Sequence, residues 1–118
     1  MNCCCDSGIT NDLKIEGDVG ADPIWCNRCG CNLDIEDVPV SNELAEELSD
    51  WAKSYGTWID WEQDKLLPHG NQLEKEFNQR GYFLTGKVKQ ELGRNYKIKF
   101  IPSASTGIYS HHEKNFES

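Results

Sequence analysis

The clearest pattern in the chain is a pair of stretches in which apolar residues recur every three or four positions, the spacing of one helix face. The first stretch, residues 44–58, follows Ser41, a residue type that favours the N-cap position. Gly56 interrupts it and predicts a kink or a break. In the second stretch, residues 73–92, Gly81 indicates a close helix crossing or the join of two shorter helices. The spacing predicts two amphipathic helices.

Alternating apolar and polar residues predict the strands. The strongest alternation covers residues 96–101, and shorter ones cover residues 11–16 and 24–25. A looser alternation over residues 32–40 suggests a third short strand, which Pro39 would limit to a sheet edge. The resulting order, β-β-(β)-α-α-β, predicts an α+β fold. An N-terminal β-hairpin precedes two helices that pack on a small sheet, and a C-terminal strand completes that sheet.

Length and composition indicate one small domain. A chain of 118 residues and 13.4 kDa supports one modest core. We expect the domain to cover residues 1–102, and the Ser-, Gly-, His- and charge-rich residues 103–118 to form a disordered tail. The mean hydropathy of -0.68 and the short apolar runs exclude a membrane-spanning helix. Nothing resembling an export signal appears, so we expect a cytoplasmic protein with reduced cysteines.

The candidate chemistry lies in the cysteines, because all six fall within the first 31 residues. Residues 3–5 are a cysteine triplet, and 20 residues separate Cys5 from the Cys-x-x-Cys-Gly sequence of residues 26–30. This spacing is close to that of a two-knuckle zinc site. Residues 26–30 resemble the knuckle of zinc ribbons and rubredoxins, over about the first 30 residues only. The resemblance implies a structural metal held by a zinc-ribbon-like β-hairpin, and no activity.

Side-chain direction narrows the choice of ligands. In an extended chain neighbouring side chains point to opposite sides, so Cys3 and Cys5 can share a metal that Cys4 cannot easily reach. The predicted Zn²⁺ ligands are therefore Cys3, Cys5, Cys26 and Cys29, with Cys31 or Cys4 as substitutes. Iron, a polynuclear cluster or a redox-active thiol pair are the alternatives.

Charge is unevenly distributed along a chain whose net charge is -8 and whose pI is about 4.8. Residues 34–64, which we call the acidic segment, hold ten acids and one lysine, a balance of -9. Residues 75–99 hold seven bases and two acids, a balance of +5. The acidic segment is either a solvated surface or a face that engages a basic protein.

Three tryptophans lie within the acidic segment. Trp51 and Trp58 belong to the apolar helix stripe and are predicted to pack in the core. Trp61 and Ile59 fall off that stripe, and we expect both to stay exposed. An exposed tryptophan beside carboxylates suits recognition of a basic protein surface. The candidate partner-binding residues are Ile59, Asp60, Trp61 and Asp64.

The sequence carries no recognisable catalytic motif. It lacks a phosphate-binding loop, a nucleophile elbow and a His-Glu-x-x-His zinc protease motif. His69 lies in a Pro-His-Gly loop without a nucleophile nearby in sequence. A catalytic zinc site keeps one position open, and the cysteine set offers none. We predict no enzymatic activity.

Three classes of function remain. The favoured one is a small zinc-binding module, monomeric, that acts by contacting an unidentified protein partner. The second is an acidic inhibitor of the immunity or antitoxin kind, which covers the site of a basic enzyme through residues 34–64. The third is a nucleic-acid-associated zinc protein that uses lysines between residues 87 and 99, but the acidic segment opposes phosphate binding.

Overall fold

The computed structural model describes Cys3, Cys5 and residues 8–104. Its fold is α+β, which confirms the predicted class. In chain order the elements are β1 (Asp12–Glu16), β2 (Ile24–Cys26), a 3-10 turn (Ile35–Asp37), α1 (Asn42–Lys53), β3 (Ile59–Asp60), β4 (Lys65–Leu66), α2 (Gly70–Leu92), a second 3-10 turn (Gly93–Asn95) and β5 (Lys97–Ile101).

Strand β1 is the centre of a three-stranded sheet in the order β2-β1-β5. It pairs antiparallel with β2, as expected for the predicted hairpin, and parallel with β5. The parallel pairing is possible because the helical middle of the chain provides the long crossover that parallel strands need. Leu13 and Ile15 of β1 are fully buried on the face that meets the helices. The alternation of apolar and polar residues therefore predicted β1 and β5, the two strands far apart in sequence that pair in this sheet.

Helix α1 begins where its cap predicts and ends earlier than its apolar repeat. The Ser41 hydroxyl accepts a hydrogen bond from the Leu44 N–H at 3.1 Å, which satisfies one of the free donors of the first turn. The helix ends at Lys53, and Gly56 adopts a left-handed φ of 80°. Gly56 therefore marks a break, and Trp58 reaches the core from a turn, not from the helix.

Helix α2 continues through Gly81 without a join. A Cβ atom at this position would lie 2.3 Å from the Phe100 ring and 2.9 Å from the Trp51 ring. The close contact at Gly81 therefore joins α2 to β5 as well as to α1. The missing side chain is what lets the sheet and both helices meet at one point.

Aromatic rings fill the space between the two helices. The rings of Trp51 and Phe77 stack with centroids 4.4 Å apart, and the Trp51 indole N–H donates to the Phe77 carbonyl at 2.9 Å. Trp58 is completely buried beside them, 5.2 Å from Phe77 between centroids. The predicted core positions of Trp51 and Trp58 are confirmed.

One local prediction is wrong, and one short hairpin was not predicted. Residues 32–40 do not form a strand: Asn32 makes a single bridge to Trp25, and the Asp34 carboxylate then caps a 3-10 turn by accepting from the Glu36 N–H. The loop expected at residues 67–70 is preceded by a two-residue hairpin of β3 and β4 that the alternation did not indicate. Short strands of this kind depend on their surroundings more than on their own sequence.

The expected tail lies almost entirely outside the described residues, which stop at residue 104. Within the described part, neither helix combines the length and the apolar character that crossing a bilayer requires.

Candidate functional site

Four cysteine sulfurs converge at the end of β2. The Sγ atoms of Cys3, Cys5, Cys26 and Cys29 all lie within 4.8 Å of one another. Cys26 is buried, Cys3 and Cys5 are half-buried, and Cys29 is exposed. The structure thus brings together the four cysteines that the sequence predicted as ligands. Cys31 lies outside this group and is disulfide-bonded, and Cys4 lies outside the described residues.

A tight turn presents Cys26 and Cys29 to the cluster. The Gly30 N–H donates to the Cys26 carbonyl at 2.9 Å, and the Cys26 N–H donates to the Cys31 carbonyl at 2.9 Å. Gly30 adopts a φ of 76°, a conformation that glycine accepts without strain. The turn closes residues 26–31 into a small loop, the form that the knuckle resemblance predicted.

The N-terminal residues meet this loop through their own hydrogen bonds. The Cys3 N–H donates to the Gly8 carbonyl at 3.1 Å, and the Gly8 N–H donates to the Cys5 carbonyl at 2.8 Å. The Cys5 N–H also points to the Cys3 sulfur at 3.3 Å. These bonds link Cys3, Cys5 and Gly8, and the sulfurs of both cysteines reach the cluster.

Thr10 is a neighbour of the cluster that the sequence did not identify. It is buried, and its Oγ1 atom lies 3.3 Å from the Cys26 sulfur. The same hydroxyl donates to the Asp12 carbonyl at 3.2 Å and accepts from the Asp12 N–H at 3.1 Å. The only sequence signal for this role is the position of Thr10, two residues before a strand. Its contact with Cys26 depends on the fold.

The thiols differ in acidity. Burial raises the pKa of Cys26, but hydrogen bonds with the Thr10 side chain and with the backbone of Cys29 and Arg28 outweigh it and lower that pKa to about 6. The hydrogen bond with Cys3, followed by burial and the neighbouring Cys26, raises the pKa of Cys5 well above its usual range. One thiolate at Cys26 is therefore favoured near neutral pH, and a metal ligand must be deprotonated.

The sulfur geometry fits a tetrahedral metal. Zn–S bonds of about 2.3 Å in a tetrahedron place neighbouring sulfurs roughly 3.8 Å apart. The Sγ atoms of Cys5 and Cys26 are 3.6 Å apart. This one distance is close to the tetrahedral value, and four thiols within 4.8 Å of one another can bind a metal ion.

The acidic segment forms the second candidate site. Glu47 points toward α2 and pairs with Arg80 at 3.1 Å and Lys87 at 3.0 Å. Asp34 and Asp60 are used locally, because each accepts backbone N–H groups of a turn. The remaining acids with exposed side chains are Glu36, Asp37, Glu43, Glu46, Asp50, Glu62 and Asp64. Most of the negative charge of this segment therefore faces solvent.

Trp61 is exposed and yet fixed in position. It leaves 58% of its surface accessible, on the turn between β3 and β4. Its indole N–H donates to the Gly56 carbonyl at 3.2 Å, and a Cβ atom on Gly56 would lie 2.7 Å from its ring. The indole thus lies over Gly56 and presents its other side to solvent.

The other three predicted partner-binding residues have different positions. The expectation that Ile59 stays exposed is wrong, because only 5% of it is accessible and it packs in the core. Asp60 is half-buried and accepts from the N–H groups of Glu62 and Gln63 at 3.1 Å each. Asp64 is exposed in a left-handed turn, with a φ of 53°. Ile59 supports the turn that displays Trp61 and cannot itself contact a partner.

A family comparison now bears on these two sites. The sequence profile of the Serratia CdiI immunity protein-like family matches residues 11–103. This chain belongs to that family. The match includes the whole acidic segment, Cys26 and Cys29, and it begins after Cys3 and Cys5. No curated protein matches the chain. The likeness to zinc ribbons therefore concerns the knuckle alone, and the family is that of an immunity protein.

Proposed function

We propose that this protein is an immunity protein that binds a partner toxin and neutralises it without any enzymatic activity of its own. The observation that carries the proposal is the family match over residues 11–103, which covers every helix and strand. An immunity protein acts by occupying its toxin. The alternative that the charge distribution raised, an acidic inhibitor, is thus preferred to an unspecified interaction module.

The charge of the acidic segment favours a basic toxin surface. Its exposed carboxylates would attract a basic partner at long range and accelerate association, and the effect would weaken with salt. Trp61 supplies the apolar contact that charges alone do not give, and tryptophan is enriched among residues that dominate binding energy. Asp60 and Asp64 flank it on the same turn. We place the centre of the toxin interface at Trp61.

The test measures binding to the toxin that the protein captures from its native host. Trp61→Ala should weaken the equilibrium affinity by about 30-fold, the effect of losing a central aromatic contact. Phe83→Ala is the matched control, because Phe83 is 55% exposed on α2 outside the acidic segment. Its affinity should stay within about twofold of wild type. Equal losses for both variants, or no loss for Trp61→Ala, would contradict the placement, and absence of wild-type binding would contradict the function.

The four-cysteine cluster is proposed to hold zinc as a structural ion. Four thiolates with no open position match structural zinc sites, and the 3.6 Å sulfur separation supports a tetrahedral ion. Cys3, Cys5, Cys26 and Cys29 would be its ligands. Thr10 would hydrogen-bond the Cys26 sulfur, as outer-shell groups do in such sites. The ion would tie residues 3–8 to the end of β2.

Metal content tests this assignment. Protein purified under reducing conditions should contain one zinc per chain by elemental analysis, and Cys29→Ser should lose it. Cys29 is exposed, so its replacement leaves the core intact. Arg28→Ser is the control and should keep the ion, because Arg28 is exposed on the same turn and carries no sulfur. Full zinc content in Cys29→Ser and Cys26→Ser would contradict the ligand set.

A further inference from the structure

A groove runs along α1 on the side that faces away from α2. Its volume is about 630 Å³, and its walls are the 3-10 turn with the residues that follow it and one face of the helix. The helix face uses residues 42, 45, 46, 49, 50 and 53, which recur every three or four positions. The opposite face of the same helix buries Leu44, Leu48 and Trp51. Helix α1 therefore has a core face and a groove face.

Small residues open the groove and apolar ones line it. Ala45 and Ser49 lie along the middle of the helix face, so the helix backbone is accessible between longer side chains. Ile35 and Val40 form the facing wall, and both are half-buried. The groove thus has room for a side chain from another molecule, and these apolar residues form a small patch within a mostly polar lining that such a side chain can contact.

The facing wall is fixed in position before any partner arrives. The Asp22 carboxylate accepts from the Ile35 N–H at 3.0 Å, and the Asp34 carboxylate accepts from the Glu36 N–H at 3.0 Å. Val38 belongs to the same wall, is only 4% exposed, and anchors residues 35–40 in the core. A preformed groove loses little conformational entropy when it is filled.

The rim of the groove is acidic. Glu36, Glu46 and Asp50 are exposed around it, with Lys53 as the single base. Within the part of the chain that the structure describes, none of these three carboxylates forms an ion pair, whereas Glu47 on the other side of α1 pairs with two cations. Apolar walls under three unpaired carboxylates fit a polypeptide segment with an apolar side chain between lysines or arginines. They oppose an acidic segment or a phosphate-bearing molecule.

We propose that this groove receives such a basic, apolar-centred segment of the partner toxin. The inference rests on the proposed function and deepens it, because it adds a second contact region on the acidic segment besides Trp61. Glu46 and Asp50 would pair with the basic side chains of the segment, and its apolar side chain would lie over Ala45.

Charge reversal tests the rim. Glu46→Lys combined with Asp50→Lys should weaken the affinity for the captured toxin by about 100-fold or more, since each charge pair across the interface then changes from attraction to repulsion. The association rate should also lose most of its salt dependence. The matched control is Asp18→Lys combined with Glu76→Lys, because both acids are exposed, lie off this groove and outside the acidic segment, and give the same change in net charge. The control should lose less than about tenfold.

Filling the groove tests its interior without changing charge. Ala45→Phe should occupy the space and weaken the affinity by about tenfold or more, because the segment can no longer enter. Ala45→Ser is the control, since serine and phenylalanine have similar helix propensities but serine leaves the groove open. Its affinity should match wild type.

The outcomes separate the two proposals. Wild-type binding that the reversal and filling variants leave unchanged would overturn the groove assignment and leave the immunity function standing. Equal losses from the rim reversal and its control would also overturn it, because net charge alone would then explain binding. Absence of wild-type binding would overturn the proposed function, and the groove assignment with it.

Discussion

At Gly81 a single missing side chain allows three elements to pack together. The Phe100 ring of β5 and the Trp51 ring of α1 both occupy the space that a Cβ atom would need, at 2.3 Å and 2.9 Å. Neither ring can withdraw freely, since Trp51 stacks on Phe77 and Phe100 contacts Tyr82 with centroids 4.6 Å apart. The position tolerates no added atom.

Gly81→Ala should therefore lower the free energy of unfolding by about 1–3 kcal/mol, the usual cost of adding atoms to a packed core. Gly86→Ala is the matched control in the same helix, because a Cβ there meets nothing within 4 Å. It should stabilise the protein by about 0.5–1 kcal/mol through helix propensity. Urea unfolding of both variants measures the difference, and stabilisation by both would show that the Phe100 and Trp51 rings can move aside.

Local patterns around single residues also explain which site residues could be predicted from the sequence. Cys3 and Cys5 share a side because they are two positions apart, and the Cys-x-x-Cys-Gly turn is a local signal. Trp61 stood out because it leaves the helix stripe. Ile59 leaves the same stripe and is nevertheless buried, since β3 turns it inward. Side-chain direction in a two-residue strand is set by tertiary packing, which the sequence pattern does not contain.

At the scale of elements, those with strong local signals were predictable. Ser41 fixed the start of α1, and the alternation of residues 96–101 fixed β5 within one residue. The elements that were missed, β3, β4 and the two 3-10 turns, have two or three residues each and owe their form to neighbours. The groove was also beyond the sequence, because residues 35–40 meet α1 only in the folded chain.

The end of a helix is likewise set by tertiary packing as well as by the local pattern. The apolar repeat that begins in α1 continues to Trp58, yet the helix stops at Lys53. The apolar repeat indicates which residues are buried. Burial continues past the end of the helix because Gly56 turns the chain back over the same core. A hydrophobic pattern therefore predicts the core more reliably than it predicts the last turn of a helix.

At the scale of the whole molecule, the two candidate sites have separate supports. The partner surface belongs to the helical half, where α1, α2 and the aromatic core fix both Trp61 and the groove. The cysteine cluster is attached to the sheet through β2 and Thr10. Strand β1 lies between them and pairs with β5 along its whole length, from Asp12 with Lys97 to Glu16 with Ile101. These contacts do not involve the cluster, so loss of a metal should stay local.

Hydrogen exchange after chelation tests this separation in the zinc-loaded protein. Removing the ion should cut the protection of the Cys26 and Gly30 amides by about 100-fold or more, since structural zinc contributes roughly 10 kcal/mol or more to the fold around it. The amides that join β1 to β5 and those of α2 should keep their protection, because β1 pairs with β5 along its whole length and Leu13 and Ile15 belong to the core that the helices share. Affinity for the toxin domain should then change by less than about threefold. If protection falls equally throughout the chain, the ion supports the whole core; if the Cys26 and Gly30 amides stay protected, no metal organises that loop.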